Sequence, residues 1–322
     1  MLWFLQREER LMESKKIINR MQDFGALIAL FVLVVLIGII SPEFRTIGNF
    51  LSLLRQSSVN GLIAFGMTCV ILTGGIDLSV GSVLALSTAL CAGMIARGVP
   101  AGAAMAASLI IGTAFGVVSG ILVTKGRLQP FIATLITMTV FRGITMIYMD
   151  GRPISNLGDS FWLKFVGKGN LFGIPFPVII FLTVFALLFF VLERTTFGRR
   201  IYATGSSEKA AKLAGVNIDR TKLATYAISG CMSALSGIIL LSRLNSAQPT
   251  LGSGYELDAI ASVALGGTSM NGGRGRIWGT FVGVLIIAVL NNGLNILGVS
   301  SYWQDVVKGI VILCAVLSDR KR

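Results

Sequence analysis

Ten apolar stretches separated by short polar segments make up most of the chain after about residue 24. Each stretch approaches the ~20 residues that a transmembrane helix needs, and the second, third and eighth are the weakest. The pattern therefore predicts an all-α, polytopic membrane protein of about ten transmembrane helices. We place the spans at 24–40, 59–73, 78–96, 101–123, 130–149, 171–192, 223–241, 255–270, 277–297 and 301–318.

The spans divide the chain into one transmembrane domain, 24–318, and two flanks. We expect a cytoplasmic N-terminal segment at 1–23, a long cytoplasmic loop at 193–222 and a cytoplasmic tail at 319–322. No small-residue cleavage site follows the first span, so we interpret it as a retained anchor. The first eleven residues are unusual for such a protein, and we hypothesise that translation starts at Met12.

The net charge of +13 changes this picture by giving the protein an orientation. A basic balance is also typical of proteins that bind nucleic acid. With the N-terminus inside, however, 19 of the 28 Lys and Arg residues lie in inner segments and 7 lie in outer segments. Cytoplasmic loops of membrane proteins carry such an excess. We therefore predict a lipid bilayer as the partner, no nucleic acid, and both termini in the cytoplasm.

Composition narrows the chemistry. Hydrophobic residues make up 54% of the chain, and histidine is absent, which excludes Ser-His-Asp triads and HExxH zinc sites. The four cysteines lie singly in apolar stretches and read as packing residues. No GxxxxGK[ST] motif occurs, so the chain has no P-loop of its own for ATP. We predict no catalytic residue and no metal site.

Small residues recur every four positions in several spans. Such ridges let helix backbones approach closely in a membrane, so they predict a compact bundle. The ridges are Gly112, Gly116 and Gly120; Gly275, Gly279 and Gly283; Ser229, Ser233 and Gly237; and Gly81, Ala85, Ala89 and Gly93.

The long loop at 193–222 contains a candidate docking helix. Ser206 or Ser207 can cap a short helix over Glu208–Ala214, and Gly215 can end it in the left-handed conformation. A short capped helix between two spans suits docking to a soluble partner. An ordinary solvated loop is the alternative.

The sequence of this loop resembles the EAA…G coupling loop of bacterial ABC-importer permeases. The matching residues are Glu208, Ala210, Ala211 and Gly215, with Lys209 interrupting the motif and Asn217 following it. Longer strings resemble the sugar branch of these binding-protein-dependent permeases, over nearly the whole chain after about residue 24. They are LTGGIDLSVGS (72–82), GRLQPFIATL (126–135), SAQPT (246–250), GYELDAI (254–260), LGGTS (265–269) and LNNGLNILGVSS (290–301).

The resemblance implies a transport subunit, not an enzyme. It implies a permease homodimer on a cytoplasmic ATPase with two nucleotide-binding modules, where ATP and Mg²⁺ bind. It also implies a periplasmic sugar-binding protein that delivers ribose or a similar neutral sugar for import. Galactose, xylose and autoinducer-2 are alternative solutes.

An ion-coupled secondary transporter is a less favoured alternative function. It would need an ion or proton site within the spans, for which Asp77, Glu256 and Asp305 are the candidates. An intramembrane enzyme is disfavoured because no paired acids or metal ligands appear at helical spacing.

The spacing of the spans predicts an inverted repeat. Spans two to five and seven to ten are offset by five, an odd number, so a duplication would reverse direction in the membrane. A glycine followed by an acid precedes or opens the third and eighth spans, at Asp77 and Asp258. N-capping of these helices is the preferred interpretation. Shaping gates at opposite faces is the alternative.

Two cations lie within spans. Arg142 is near the outer end of the fifth span and Lys308 near the outer start of the tenth. A local Lys308–Asp305 ion pair and an aqueous outer vestibule lined by both cations are equally weighted interpretations.

Uncharged polar residues complete the candidates for a translocation path. Asn291 and Asn295 are four residues apart and share a helix face, while hydrogen bonding between helices is the preferred alternative role for such amides. With Thr68 as a further polar position, the candidates are Asn60, Asp77, Arg142, Gln248, Asp258, Asn291, Asn292, Asn295 and Lys308.

Overall fold

The computed structural model of the chain describes residues 25–319, which are predominantly helical. The predicted segment 1–23, its hypothetical start at Met12 and the last three residues lie outside this range. The helices are α1 (Gly25–Ile40), α2 (Ile47–Leu72), α3 (Val80–Ala96), α4 (Ala101–Thr124), α5 (Pro130–Met149), α6 (Phe161–Lys168), α7 (Phe176–Arg194), α8 (Thr196–Ser206), α9 (Glu208–Leu213), α10 (Ile218–Leu244), α11 (Tyr255–Leu265), α12 (Ile277–Ile296) and α13 (Ser301–Asp319).

Two pairs of very short strands accompany the helices. Strand β1 (Ile154–Ser155) pairs antiparallel with β4 (Ser246–Ala247), and β2 (Asn170–Leu171) pairs antiparallel with β3 (Ile174–Pro175). A single 3₁₀ turn, Glu43–Arg45, connects α1 to α2. These elements lie between long helices and do not form a sheet-based core.

Each of the ten predicted spans corresponds to a helix, which confirms the all-α membrane fold. Within the described residues, α4, α5, α7, α10 and α12 are long and apolar enough to cross a membrane, and α1 and α3 are shorter apolar helices. The predicted boundary of the second span was wrong, because α2 begins at Ile47 instead of 59. Its polar residues Ser57 and Ser58 lowered the local hydropathy, but both are buried and donate to carbonyls one turn earlier.

The predicted eighth span, 255–270, was also wrong at its end. Helix α11 stops at Leu265, where Gly266 and Gly267 follow and Gly267 has a positive φ of 78°. Its 11 residues span about 16 Å, roughly half of a ~30 Å hydrocarbon core. Helix α11 is therefore one part of a broken membrane segment, between the glycine-rich turns at 251–254 and 266–276.

Helices α2 and α10 form the centre of the bundle and run antiparallel. Ser236 of α10 donates to the carbonyl of Val59. Ser229, which lies earlier in α10, is against Gly66, which lies later in α2, so the two helices run in opposite directions. Helix α10 packs against α3 and α4, and α2 packs against α11 and α12. Likewise α3 packs on α4 and α5, and α11 packs on α12 and α13. This exchange of central helices is the packing expected of the inverted repeat.

The glycine ridges lie at helix contacts, as predicted, except that Gly275 lies in the turn before α12, which begins at Ile277. A Cβ built on Gly116 of α4 would lie 2.2 Å from the carbonyl oxygen of Tyr226 in α10. One on Gly283 of α12 would lie 2.0 Å from the carbonyl oxygen of Ser262 in α11. Backbone meets backbone at both places, which explains why side chains are missing there.

Candidate functional site

The loop predicted to carry a docking helix contains α8 and α9. Ser207 caps α9 by accepting a 3.3 Å hydrogen bond from the amide of Ala210, which settles the choice between Ser206 and Ser207. Gly215 follows the helix with a φ of 81°, and Asn217 caps α10 by accepting a 3.0 Å bond from the Arg220 amide. The predicted capped helix is thus confirmed, over Glu208–Leu213.

Helix α9 is held on one side and exposed on the other. The side chain of Ala211 is buried against the protein, and the Glu208 carboxylate pairs with Lys222 of α10 at 2.5 Å. The remaining residues of α9, Ala210 among them, are exposed, and Leu213 is 90% exposed. This arrangement presents an apolar side chain on a short, anchored helix.

A glycine junction connects this loop to the bundle. We define it as Gly74, Gly205, Gly272 and Gly273, which lie together at the end of α2, with Gly205 and Gly273 against the carbonyl group of Leu72. Gly273 donates a 3.0 Å hydrogen bond to that carbonyl, and a Cβ on Gly205 would lie 1.9 Å from it. The end of α8 therefore touches both the end of α2 and the 266–276 turn. The sequence carried no signal of this junction, since its glycines come from three separate segments: the turn after α2, the end of α8 and the 266–276 turn.

Asp77 is buried at the beginning of α3. Its Oδ1 accepts from the amide and the hydroxyl of Ser79, at 3.0 and 2.5 Å. Its Oδ2 accepts from the hydroxyl of Ser229 in α10 at 2.7 Å. The preferred N-capping interpretation was therefore wrong in detail, because the N-cap residue of α3 is Ser79; the Asp77 carboxylate instead fixes the turn before α3 and joins that turn to the other repeat.

The capping interpretation was wrong for Asp258. Its carboxylate lies within α11 and contacts three other helices, because its position one turn into α11 directs it into the bundle. Nδ2 of Asn60 donates to it at 3.3 Å, Nζ of Lys308 lies 3.3 Å away, and the amide group of Asn291 faces it. We call these four residues, Asn60, Asp258, Asn291 and Lys308, the polar cluster.

The predicted local pair of Lys308 and Asp305 adjoins the polar cluster. Asp305 lies 3.6 Å from Lys308 on the same helix, so the lysine is shared between two carboxylates and its Asp258 contact is the shorter. Lys308 lies about 10 Å along α13 from its first residue, at 1.5 Å per residue. The Lys308–Asp258 pair is mostly buried, whereas the side chain of Asp305 is exposed.

Arg142 has a different environment from Lys308. Its Nη1 donates to the carbonyl oxygens of Pro249 and Leu251, both at 2.9 Å. The guanidinium is half-buried and lies near Glu256, which itself accepts from the Gly254 amide. Arg142 therefore fixes the turn that leads into α11.

Replacing Arg142 with alanine is expected to destabilise the protein by about 2–4 kcal/mol, because two carbonyls lose a charged donor. Thermal unfolding in detergent, followed by size-exclusion chromatography, measures the loss. The matched control is Arg45→Ala, since Arg45 is exposed. Equal melting temperatures for both variants would contradict a role of Arg142 in holding the turn.

The other path candidates do not join the polar cluster. Asn292 exchanges two hydrogen bonds with Asn49 of α2, at 3.0 and 2.8 Å. Asn295 is exposed and accepts from Gln304 at 2.9 Å. Gln248 is exposed in the turn after α10. Hydrogen bonding between helices, the alternative role for such amides, describes Asn292 and Asn295.

Comparison with known proteins assigns the chain to a family. The model of the family described as branched-chain amino acid transport system / permease component matches residues 49–316. The chain is 56% identical over 302 residues to the ribose import permease protein RbsC of Bacillus subtilis (strain 168), covering 94% of each chain.

Two further relatives come from Escherichia coli (strain K12). RbsC is 51% identical over 300 residues, covering 92% of this chain and 93% of that protein. The D-allose transport system permease protein AlsC is 42% identical over 299 residues, covering 92% and 91%. No solved structure matches the chain. The chain therefore belongs to the family of branched-chain amino acid transport system / permease components, as a multi-pass membrane transport subunit and not an enzyme.

Proposed function

We propose that the chain is the permease subunit of an ATP-driven ABC importer that carries ribose from the periplasm to the cytoplasm. The observation that carries the proposal is the identity of 51–56%, over more than nine-tenths of the chain, to proteins named ribose import permease. Identity to the D-allose permease is lower, at 42%. Galactose, xylose and autoinducer-2 are the competing solutes for the test below.

The importer needs several partners in this proposal. A second copy of the chain completes the membrane part, in the bacterial inner membrane. A cytoplasmic ATPase with two nucleotide-binding modules binds ATP and Mg²⁺, and the permease chain binds no cofactor. The excess of Lys and Arg in the inner segments supports cytoplasmic termini and a cytoplasmic domain at 193–222.

A periplasmic sugar-binding protein is the third partner. On the opposite side from α9, a recess of about 170 Å³ is lined by Ser52, Arg55, Gly167, Lys168 and Arg243. Three cations around one recess favour an acidic partner surface.

Helix α9 serves as the coupling element, through Glu208, Ala210, Ala211, Gly215 and Asn217. Its exposed face would contact the ATPase, and its buried face and the glycine junction would carry the resulting motion to α2 and the 266–276 turn. The support is geometric, since α9 is both exposed and fixed at its two ends.

The direct test is uptake of labelled ribose, xylose and galactose in a strain that lacks only this chain. We expect expression of the chain to restore ribose uptake, and ATP depletion to abolish it. If the chain restores uptake of another sugar and not of ribose, that sugar is the substrate. Uptake that survives ATP depletion and fails with an ionophore would support the secondary transporter instead.

Ala211→Asp and Gly215→Pro are expected to lower sugar-dependent ATP hydrolysis at least about fivefold while the protein stays in the membrane. The first buries a carboxylate under α9, and the second forces φ near −65° where it is 81°. ATPase activity of the reconstituted importer measures the effect, with exposed Lys209→Ala as control. Unchanged coupled transport in both variants would show that α9 does not couple ATP hydrolysis to transport.

A further inference from the structure

The polar cluster is graded from exposed to buried. The side chain of Asp305 at its margin is 76% exposed, that of Lys308 is 22% exposed, and that of Asp258 is 7% exposed. Asn291 of α12 is as deeply buried as Asp258, and Asn60 of α2 is half-buried. The polar groups therefore form a continuous path from the surface into the junction of four helices.

One atom of the cluster has no partner among residues 25–319. Oδ1 of Asn291 is buried without a hydrogen bond, and the residue is only 5% exposed. An amide oxygen in that state is unfavourable, since it has given up water without replacement. Because the amide group of Asn291 faces Asp258, the oxygen belongs to the cluster and offers an acceptor site to a donor that is not part of the chain.

A sugar hydroxyl matches what the cluster offers. A hydroxyl group donates one hydrogen bond and accepts up to two. Asn291 Oδ1 and the Asp258 carboxylate accept, while Asn60 Nδ2 and Lys308 Nζ donate. The charges of Asp258 and Lys308 have opposite signs and compensate each other, so the cluster favours a neutral solute over an ion.

We propose that the polar cluster is a contact site for the hydroxyl groups of a neutral sugar during passage, with Asn291 Oδ1 accepting from one particular hydroxyl. This inference rests on the proposed function of sugar import. It assigns to the permease itself, and not only to the sugar-binding protein, a part in recognising the solute.

The geometry also makes the contact weak, as passage requires. The Asn60–Asp258 and Lys308–Asp258 contacts are both 3.3 Å, longer than the ~2.7–2.9 Å of strong charge-assisted bonds. When such bonds are exchanged for bonds to sugar hydroxyls, the net change in free energy is close to zero. The net gain is the bond to Asn291, which is enough to favour a hydroxylated solute without trapping it.

The test uses the complete importer in proteoliposomes with D-ribose and its 2-deoxy, 3-deoxy and 5-deoxy analogues, each at a concentration that saturates the sugar-binding protein. Asn291→Leu is expected to lower maximal ribose uptake about three- to tenfold, the effect of one hydrogen bond. For one analogue, the original protein and the variant should transport equally, since the hydroxyl that Asn291 accepts from is then missing. A merely structural role would not produce this selectivity.

The matched control is Asn295→Leu, one turn further along α12, which should leave the ratio of ribose to deoxyribose uptake unchanged. If Asn291→Leu does not reach the membrane, Asn60→Leu tests the same carboxylate from α2 and should show the same loss of selectivity. A uniform fall for ribose and every analogue, or no fall, overturns the inference. Absence of ribose uptake by the unaltered importer would instead overturn the proposed function.

Discussion

Replacing Lys308 with methionine should destabilise the protein by about 3–5 kcal/mol, the largest loss expected from a single side chain. The reason is that Asp258 stays buried, at 7% exposure, after its ammonium partner is gone. Removing one member of a buried ion pair leaves a charge with neither water nor a counter-charge. Thermal unfolding in detergent measures the loss.

A double variant separates charge from packing. Asp258→Asn combined with Lys308→Met removes both charges, and we expect it to recover most of the lost stability, because a neutral pair carries no uncompensated charge. The control is Lys164→Met. Lys164 also pairs with an aspartate, Asp159 at 3.0 Å, but both are mostly exposed, so the change should stay within about 0.5 kcal/mol. Equal losses for Lys308→Met and Lys164→Met would mean that burial of the pair is unimportant.

Gly205→Ala should lower sugar uptake at least about tenfold, a larger effect than expected of any other single methyl group in the segment that contains α8 and α9. The added Cβ would lie 1.9 Å from the Leu72 carbonyl oxygen and 2.4 Å from the Gly273 amide nitrogen. Both are backbone atoms, so α8 must move away from α2, and the Gly273–Leu72 hydrogen bond at 3.0 Å is disturbed. Uptake and ATP hydrolysis by the reconstituted importer measure the result together.

We expect uptake to fall more than ATP hydrolysis, because the junction lies between α9 and the bundle and not at the surface that we propose for the ATPase. Gly143→Ala is the matched control. Gly143 lies within a helix, has no heavy atom within 4 Å of a built Cβ, and should tolerate the methyl group. A Gly205→Ala protein that transports as well as the Gly143→Ala protein would show that the junction does not carry the motion.

The helices and the glycine contacts could be predicted because each depends on a pattern within one segment. A run of apolar residues marks a span, and glycines four residues apart mark a ridge. Helix α9 was predictable for the same reason, since Ser207, the short helix and Gly215 follow one another directly. The boundaries failed where polar side chains form bonds inside their own helix, as Ser57 does with Leu53.

The polar cluster could not be predicted as a cluster, although each of its members was named. Asn60 and Asp258 are 198 positions apart, and nothing local to either residue indicates the other. Helical spacing placed Asn291 and Asn295 on one face, but only Asn291 joins the cluster, since Asn295 is exposed and accepts from Gln304. Only the packing of α11 on α2, α12 and α13 decides which polar groups meet.

The antiparallel pair of α2 and α10 has a consequence for how the protein is made. Because α10 supplies the surface on which α3 and α4 pack, the first half of the chain has no complete interior of its own. Helix α10 begins at Ile218, long after α4 ends at Thr124, so the faces of α3 and α4 that pack on α10 have no partner until this later part of the chain is made. We therefore expect each half to complete the packing of the other, and neither half to be a separate folding unit.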